Sequence, residues 1–546
     1  SRTLHSTFSS SPLSPHRCPP RRPPARTMLA ATTSLVLTLP HTTPSATSSP
    51  SRPSLTPLAV SSANLFATHP LYINPANVQE LQRSIQTASG EARAALLRAA
   101  SLPSAYWIDR KAKLHGNGTD SLEGILADAA AKPAPPLVVF ILYNLPNRDC
   151  NAKASNGEIC CYRDAASGRC DYTRQGDCAE GLAEYKQQYV QPFAALLRAY
   201  HTRLPIAVVV EPDSLPNLAT NAKSPSSPCG NPATQTAYHD GVAFAIEHLA
   251  QQAPSVALYL DAAHGGWLGW ETGYKAYIGL LAQMGVAPYL RGFASNSANY
   301  QPLGVPCPPE AVEMGIPQYC ALHAADACCR DPCGLLQQYN AANNELNYAQ
   351  VVSAHARGTI GGFSPHWLID TGRNGVDGMR SDCSNWCNIR GAGLGHAPTA
   401  NTSLPAVVDA YFWLKTPGES DGCTQALPGG AACARYDPMC QSADSIGGRS
   451  DEPRAPEAGG WFDYEVKQLA ANARFGGGGG GGLRQSFVGA PAKPFTPCES
   501  GGGRGCTPGY VCERGLCMPT AERLEEARHG AAFSAMLAHA RRRVGS

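Results

Sequence analysis

Short runs of β-branched and aromatic residues alternate with longer amphipathic stretches between about Asn64 and Phe475. The longer stretches, such as Leu182–Tyr200 and Val242–Gln252, place apolar residues three and four positions apart, which is typical of helices. This alternation of strands and helices is expected of a parallel α/β domain. The short runs predict seven strands: Ala105–Ile108, Leu137–Tyr143, Ile206–Val210, Ser255–Leu260, Leu290–Ala294, His366–Ile369 and Ala410–Leu414.

Polar side chains follow the predicted strands closely. In a closed parallel barrel all strands end at one face, so residues distant in the sequence converge there on one site. An open doubly wound sheet is the alternative, but it would not bring seven strand ends together, and the chain lacks its phosphate-binding glycine fingerprint. The pattern favours a barrel whose site contains Asp109, Asp149, Glu211, Asp213, Asp261, Asn296, Asp370, Lys415, Glu419 and Asp421.

The charge of the chain limits the kind of ligand to expect, and its cysteine content limits the cellular compartment in which it folds. The 546 residues are 43% hydrophobic and 16% charged, and their formal net charge is +2. This weak charge gives no reason to expect nucleic acid or an anionic membrane as partner, so we expect a neutral ligand. The 21 cysteines are scattered, and the adjacent pairs Cys160/Cys161 and Cys328/Cys329 cannot easily close one tetrahedral zinc site. Disulfides formed in an oxidising compartment are the simpler interpretation, and we predict no metal and no cofactor.

Three groups of carboxylates at the strand ends suit the cleavage of glycosidic bonds. They are centred on Asp149, on Glu211 with Asp213, and on Glu419 with Asp421. Glycosidic cleavage needs a carboxylic acid to protonate the leaving oxygen and nearby groups to stabilise an oxocarbenium-like transition state. A single carboxylate at a strand end is more often a helix cap or an ion-pair partner, but this clustering favours catalysis.

Six of the seven tryptophans fall within or close to the same strand ends. An indole ring packs against the apolar C–H face of a sugar, whose hydroxyls then bind polar groups at the rim. Trp367 and Trp413 lie in or beside predicted strands and are interpreted as core residues. The other four predict a row of sugar platforms: Trp107, Trp267, Trp270 and Trp386.

Ordered motifs from about Asn64 to Ala473 carry a family resemblance. They are LYNLPNRDCNAKASNGE (142–158), VVVEPDSLPNLATN (208–221), LYLDAAHGGWLGW (258–270), GFASNSANY (292–300), IDTGRNG (369–375), NWCNIRGAGLG (385–395), LKTPGESDG (414–422) and PEAGGWF (456–462). With these motifs the chain resembles glycoside hydrolase family 6, which contains cellobiohydrolase II and related endoglucanases. The resemblance implies a distorted seven-stranded parallel β/α barrel, in agreement with the strand count.

The resemblance also implies roles for individual carboxylates. Asp213, in the EPDS motif, corresponds to the general acid. Asp149, in the NRDC motif, would raise the proton affinity of Asp213 and help to stabilise the transition state, since a second carboxylate disfavours ionisation of the first. Asp421 takes the position often proposed as the base, and the alternative is a proton relay through a water that Ser155 helps to hold.

Other residues correspond to family positions that line the cleft or bind sugar hydroxyls. The chain departs from the commonest cellobiohydrolase pattern at Asn144 and Asn147, which replace aspartates, and at Ser420, where a cysteine often stands. These departures leave the predicted acid intact and concern fine specificity. A histidine such as His264, taken alone, is more often structural. The substrate-binding prediction adds to the four tryptophans Asp109, Tyr143, Ser155, Asp261, His264, Asn296, Arg373, Lys415 and Glu419.

The resemblance implies two disulfides, Cys150 with Cys229 and Cys387 with Cys440. The second would close the loop that carries Asp421 and reduce the entropy lost when that loop orders. We predict that most remaining cysteines of the domain crosslink two insertions internally, 160–178 and 307–333.

The chain outside the predicted catalytic domain, 64–475, divides into four segments. Residues 1–63 form an N-terminal extension with a weak signal-peptide pattern from Met28. Residues 476–497 begin with seven glycines and read as a flexible linker. The four-cysteine unit, 498–518, is too small to fold without crosslinks, and its single aromatic residue, Tyr510, argues against a cellulose-binding module. Residues 519–546 predict a helical tail.

Two classes of function remain. The leading hypothesis is a secreted, monomeric, inverting cellulase that acts on cellulose or a related β-1,4-glucan, and the rival is a carbohydrate-binding wall protein that has lost turnover. The intact carboxylates favour the enzyme. Two long loops, 156–180 and 416–459, are regions that endoglucanases of the family tend to shorten, so they favour an end-wise cellobiohydrolase. If both loops pack outside the barrel, an endo-β-1,4-glucanase is the alternative.

Overall fold

The computed structural model describes residues 63–224 and 227–475, together with the backbone of 510–513 and 516–519. Seven parallel strands form one sheet in which the strand order follows the chain. All seven predicted strands are present, with ends that agree or differ by one or two residues. They are β1 (Tyr106–Ile108), β2 (Val138–Leu142), β3 (Ile206–Val210), β4 (Ala257–Asp261), β5 (Gly292–Ser295), β6 (His366–Asp370) and β7 (Val408–Phe412).

Helices occupy most of the connections between these strands. Asparagine side chains cap several of them, as at Asn74 and Asn231, each followed by a proline at the first helical position. A π-helical turn, Lys186–Val190, joins the helices Ala179–Tyr185 and Gln191–Tyr200 in one continuous stretch. The helices are α1 (Leu65–Thr68), α2 (Pro75–Thr87), α3 (Gly90–Ala99), α4 (Leu122–Ala130), α5 (Ala179–Tyr185), α6 (Gln191–Tyr200), α7 (Ser214–Asn221), α8 (Pro232–Gln252), α9 (Gly265–Leu268), α10 (Glu271–Met284), α11 (Pro309–Met314), α12 (Ile316–Leu322), α13 (Glu345–Thr359) and α14 (Asp463–Ala471).

The sheet curls until its two edge strands meet. The backbone N–H of Ala105, just before β1, donates to the carbonyl of Trp413, just after β7, at 2.9 Å. The hydroxyl of Thr416 donates to the carbonyl of Ala105 at 3.2 Å. Within the described residues no ladder joins β1 to β7, so a few hydrogen bonds close the barrel and it is distorted.

Both faces of the sheet are buried. In β2, Val138 and Phe140 belong to the large core between the sheet and the helices, whereas Val139 and Ile141 belong to a smaller core inside the barrel. Alternate residues of a strand face opposite sides, so a strand buried on both sides needs an unbroken apolar run. This arrangement explains why the strands were recognisable from short hydrophobic runs.

Eight disulfides crosslink the described part of the chain. The two implied by the family resemblance, Cys150–Cys229 and Cys387–Cys440, are present. The first insertion is crosslinked internally, as predicted, and Cys423–Cys433 lies within the loop after β7. The insertions contain Cys160–Cys170, Cys161–Cys178, Cys307–Cys328 and Cys320–Cys329.

The prediction that the second insertion is crosslinked only internally is wrong for Cys333. This residue pairs with Cys383 in the loop that follows β6. The two segments also share an ion pair, since Arg330 lies 2.7 Å from Asp377. The end of the insertion thus reaches a loop that is distant in the sequence, which spacing within the insertion cannot reveal.

Several predicted segments lie wholly or mainly outside the described residues, namely the N-terminal extension, the linker and the C-terminal tail. In the four-cysteine unit, strands β8 (Tyr510–Glu513) and β9 (Leu516–Pro519) pair antiparallel. No helix in the described part of the chain is both long and apolar enough to cross a membrane.

Candidate active site

The carboxyl ends of the strands open on a cleft of about 530 Å³. Most of the residues predicted from the sequence line this cleft together, although they come from all parts of the domain. The set comprises Trp107, Asp109, Tyr143, Asp149, Ser155, Asp213, His264, Trp267, Trp270, Trp386, Lys415, Glu419 and Asp421.

Five predicted residues lie behind the cleft wall instead. Glu211 and Asp370 are buried there, and the other three are Asp261, Asn296 and Arg373. Asp261, the last residue of β4, accepts hydrogen bonds from the backbone N–H groups of Asp213 and Ala263, each at 3.1 Å. The side chain of Asn296 donates to the carbonyl of Asp370 at 2.9 Å. Arg373 is buried beside Asp421, so these three residues contact the groups of the cleft rather than its lining surface.

The backbone turns through the left-handed region where the strands end. Asn147 and Asp149 have φ of 53° and 55°, and Glu211 and Asp213 have φ of 44° and 62°. This conformation is uncommon for residues other than glycine, is tolerated best by Asn and Asp, and clusters at functional sites. Two of the three predicted catalytic aspartates, Asp149 and Asp213, therefore lie on strained backbone at the edge of the cleft.

The surroundings of Asp213 favour the protonated form of its carboxyl. Desolvation by the surrounding protein raises the pKa of its carboxyl well above the usual range, and the negative charges of Asp149 and Asp261 raise the pKa further. Its backbone is fixed in place, since its N–H donates to Asp261. A carboxyl that stays protonated near neutral pH can act as a general acid.

Asp149 is the more acidic of the two neighbouring carboxyls. Burial raises its pKa to about 6, while a hydrogen bond from the Ser155 hydroxyl and the charge of Arg148 oppose that increase. Arg148 holds the loop in shape by donating to the carbonyls of Tyr143, Asp109 and Ser155 at 2.5, 2.7 and 2.8 Å. Asp213 therefore holds its proton more tightly than Asp149 does, so Asp149 is the first of the pair to ionise.

Asp421 is held through a single carboxylate oxygen. Its Oδ2 accepts hydrogen bonds from Arg373 Nη1 at 2.7 Å, the Tyr300 hydroxyl at 2.9 Å and the backbone N–H of Asn388 at 2.9 Å. Three donors on one oxygen fix the orientation of the carboxylate, and Asp421 still borders the cleft.

Three of the four indole rings that line the cleft are fixed by their N–H groups. Trp107 donates to the carbonyl of Leu414 at 2.8 Å, and Trp270 donates to the carbonyl of Gln338 at 3.1 Å. Trp267 donates to the Thr220 hydroxyl at 3.2 Å. Rings anchored in this way present a fixed face to a ligand. Trp367 and Trp413 are fully buried, which confirms that they are core residues.

Polar groups at the rim are available to bind hydroxyls. The Nδ1 atom of His264 has no hydrogen-bond partner within the described residues, and burial lowers the pKa of this imidazole to about 3, so it is neutral. The Nζ atom of Lys415 lies 3.4 Å from Glu419 and 5.6 Å from the centre of the Trp107 ring. Both kinds of group can exchange hydrogen bonds with a neutral sugar.

Among the described residues, no group of side chains spaced to bind a metal ion lines the cleft. Within the described residues, the side chains close enough together to share an ion form two cysteine-containing groups, and neither lines the cleft. Their cysteines are all in disulfides and supply no thiolate.

Sequence reasoning predicted Glu419 and Asp421 but missed residues that the later part of the loop 416–459 contributes to the cleft. Arg435, Asp437 and Met439 all line it. Asp437 accepts a hydrogen bond from the backbone N–H of Lys153 at 2.8 Å, and Arg435 donates to the carbonyl of Asn156 at 3.2 Å. The only available signal was the position of this long loop directly after Lys415, since none of the three residues belongs to a recognisable motif.

A barrel whose strand ends carry a carboxyl with a raised pKa, a neighbouring carboxyl and anchored indole rings has the groups that a glycoside hydrolase needs. The family model for glycosyl hydrolases family 6 matches residues 66–473, and the chain belongs to this family. The resemblance inferred from the motifs is confirmed, and the protein is an enzyme of the glycosidase class.

Individual relatives agree with this assignment. The chain is 33% identical over 416 residues to a 1,4-beta-D-glucan cellobiohydrolase of Podospora anserina, covering 75% of this chain and 87% of that protein. It is 34% identical to exoglucanase 3 of Agaricus bisporus, covering 68% and 70%. Among solved structures, cellobiohydrolase II of Humicola insolens in complex with glucose and cellotetraose superposes with a TM-score of 0.58 at 29% identity, covering 75% of this chain and 99% of that one.

Proposed function

We propose that this enzyme hydrolyses β-1,4-glucosidic bonds of cellulose with inversion of configuration and works end-wise, releasing cellobiose. The names of the relatives support the substrate and the mode of attack. Of the two long loops that favoured end-wise action in the sequence, 416–459 lines the cleft, whereas no residue of the described segment 157–180 does. The observation that carries the end-wise proposal is instead the pair of hydrogen bonds between the loop 416–459 and the loop 149–156, because both of these loops line the cleft.

The reaction begins with proton transfer from Asp213 to the glycosidic oxygen as the bond to the anomeric carbon breaks. The carboxylate of Asp149 stabilises the positive charge that develops on the sugar ring. Water attacks from the opposite face and gives its proton to Asp421, or to a second water held by the hydroxyl oxygen of Ser155. Because the Ser155 hydroxyl donates its own proton to Asp149, its oxygen is free to accept one from a water.

The substrate is a neutral chain of glucose units. The four indole rings supply apolar platforms, and His264, Lys415 and Glu419 supply donors and acceptors for hydroxyl groups. A cleft built in this way binds a sugar chain without needing charge on it. We further propose that the protein works as an extracellular monomer, an environment in which its disulfides would persist.

The end-wise mode follows from loops that meet over the substrate. Hydrogen bonds from Lys153 to Asp437 and from Arg435 to Asn156 join the two sides of the cleft. The disulfide Cys387–Cys440 anchors the long loop close to these contacts. A chain enclosed in this way must enter by its end. If these contacts open readily in solution, the enzyme would instead cut internally as an endo-β-1,4-glucanase.

Product analysis combined with viscometry tests the proposal. We expect mainly cellobiose from cellulose, and a slow fall in the viscosity of carboxymethylcellulose relative to the number of reducing ends formed. Asp437→Ala, which removes the acceptor for Lys153, should make the viscosity fall faster. Rapid thinning by the wild-type enzyme with few new reducing ends would refute end-wise action, and activity on soluble mixed-linkage glucan alone would refute the substrate.

A further inference from the structure

A second carboxyl lies against the cluster that holds Asp421. Glu465, on α14, is completely buried, and its Oε1 lies 3.6 Å from Arg373 Nη1 and 3.4 Å from the Tyr300 hydroxyl. Its other oxygen, Oε2, has no hydrogen-bond partner within the described residues. Arg373 therefore faces two carboxyl groups, one bordering the cleft and one enclosed behind it.

In this cluster, Asp421 and Glu465 compete for the hydrogen bond that the Tyr300 hydroxyl can donate. The Tyr300 oxygen accepts hydrogen bonds from Arg373 Nη1 at 2.7 Å and from the backbone N–H of Ile389 at 3.2 Å. Its single hydroxyl proton can then be donated to Asp421 at 2.9 Å or to Glu465 at 3.4 Å, but not to both. When Glu465 is neutral, the Tyr300 hydroxyl donates its hydrogen bond to Asp421. When Glu465 is ionised, it competes with Asp421 for that hydrogen bond.

We propose that Glu465 is a positioning residue. While Glu465 is protonated, Asp421 stays oriented, and when Glu465 ionises, the orientation of Asp421 loosens. The proposal rests on the role proposed for Asp421 as the base. An ionised Glu465 also draws the positive charge of Arg373 away from Asp421, because the guanidinium would then be shared between two anions.

The burial of Glu465 and the charges around it place its ionisation near neutral pH. Burial raises the pKa of Glu465 to about 7, the charges of Arg373 and Lys415 lower it, and the charge of Asp421 raises it. The groups that face Glu465 are thus Arg373, which follows β6, Asp421 and Lys415 in the loop after β7, and Tyr300, which follows β5.

The test uses β-cellobiosyl fluoride, because fluoride leaves without needing a proton from Asp213. For the wild-type enzyme we expect kcat to fall as the pH rises through about 7. Glu465→Gln, which mimics the protonated carboxyl, should retain the rate seen at low pH and lose this fall. Asp463→Asn, an exposed change on the same helix, is the matched control and should behave like the wild type.

An unchanged fall in Glu465→Gln, or an equal loss of rate at every pH, would overturn the proposal. If that variant does not fold, Tyr300→Phe replaces it, because removal of the contested proton should make the same fall smaller, and an undiminished fall would again refute the idea. Asp421→Asn separates the two hypotheses. Full activity of that variant would refute the role of Asp421, whereas inactivity together with an unchanged Glu465→Gln profile would refute only the inference about Glu465.

Discussion

Replacing the predicted acid by its amide is the most direct test of how the cleft works. Asp213→Asn keeps the shape of the side chain and removes the proton donor. Asn is preferable to Ala because the backbone at this position has a φ of 62°, which Asn tolerates and Ala does not. The backbone hydrogen bond to Asp261 is also unaffected by the change.

The size of the effect follows from what general acid catalysis contributes. A positioned acid accelerates a reaction roughly 100- to 10,000-fold, which corresponds to about 3–5 kcal/mol of transition-state stabilisation. We expect a loss in this range for cello-oligosaccharides, whose leaving groups need a proton. For a dinitrophenyl cellobioside or a cellobiosyl fluoride, whose leaving groups depart as anions, we expect a much smaller loss.

The assay compares kcat on both kinds of substrate for the wild type, Asp213→Asn and a control. Asp240→Asn is a suitable control because that carboxylate is exposed on α8 and does not line the cleft. Binding of cellotetraose by Asp213→Asn should remain close to that of the wild type. An equal loss on both substrates in a folded variant would show that Asp213 does not act as the acid.

Two further predictions concern the stereochemistry of the reaction and Glu345, a fully buried carboxyl at the start of α13. If the enzyme inverts, proton NMR of fresh product from a β-linked substrate should show the α-anomer first, and an initial β-anomer would refute single displacement. The second concerns stability, since burial raises the pKa of Glu345 from 4.5 to about 7. A raised carboxyl pKa means that the folded state binds the proton more tightly, so the free energy of unfolding should fall by roughly 3 kcal/mol as the pH rises from about 4.5 through about 7. Glu345→Gln should remove this contribution and make the pH dependence shallower than that of the wild type in chemical denaturation, and an unchanged slope would contradict it.

Local sequence carried enough information for the strands and for most of the cleft. A strand buried on both faces, such as Val138–Leu142, has to be continuously apolar, so its pattern can be read directly. Because parallel strands end at one face, the polar residues after those runs had to converge. Small errors remained at the ends, and Asp261 and Asp370 are the last residues of their strands rather than the first residues beyond them.

Contacts between distant loops could not be predicted in this way. Asp437 and Glu465 lie in segments whose local pattern gives no hint of the site. Asp437 reaches the cleft, and Glu465 reaches the cluster around Arg373 behind it, because the chain folds back over the barrel. The outward disulfide of Cys333 is a similar case, because the identity of its partner depends on the path of another loop. Resemblance to the family helped with conserved motifs but could not supply partners from segments that carry none.

The link from Cys333 to Cys383 has a practical consequence for protein engineering. It joins the insertion before α13 to the loop that carries Trp386, and the ion pair between Arg330 and Asp377 reinforces it. A chimera that received only one of these two segments would carry an odd thiol and a charge without its counterpart. Anyone who recombines this enzyme with a relative should therefore transfer both segments as one module.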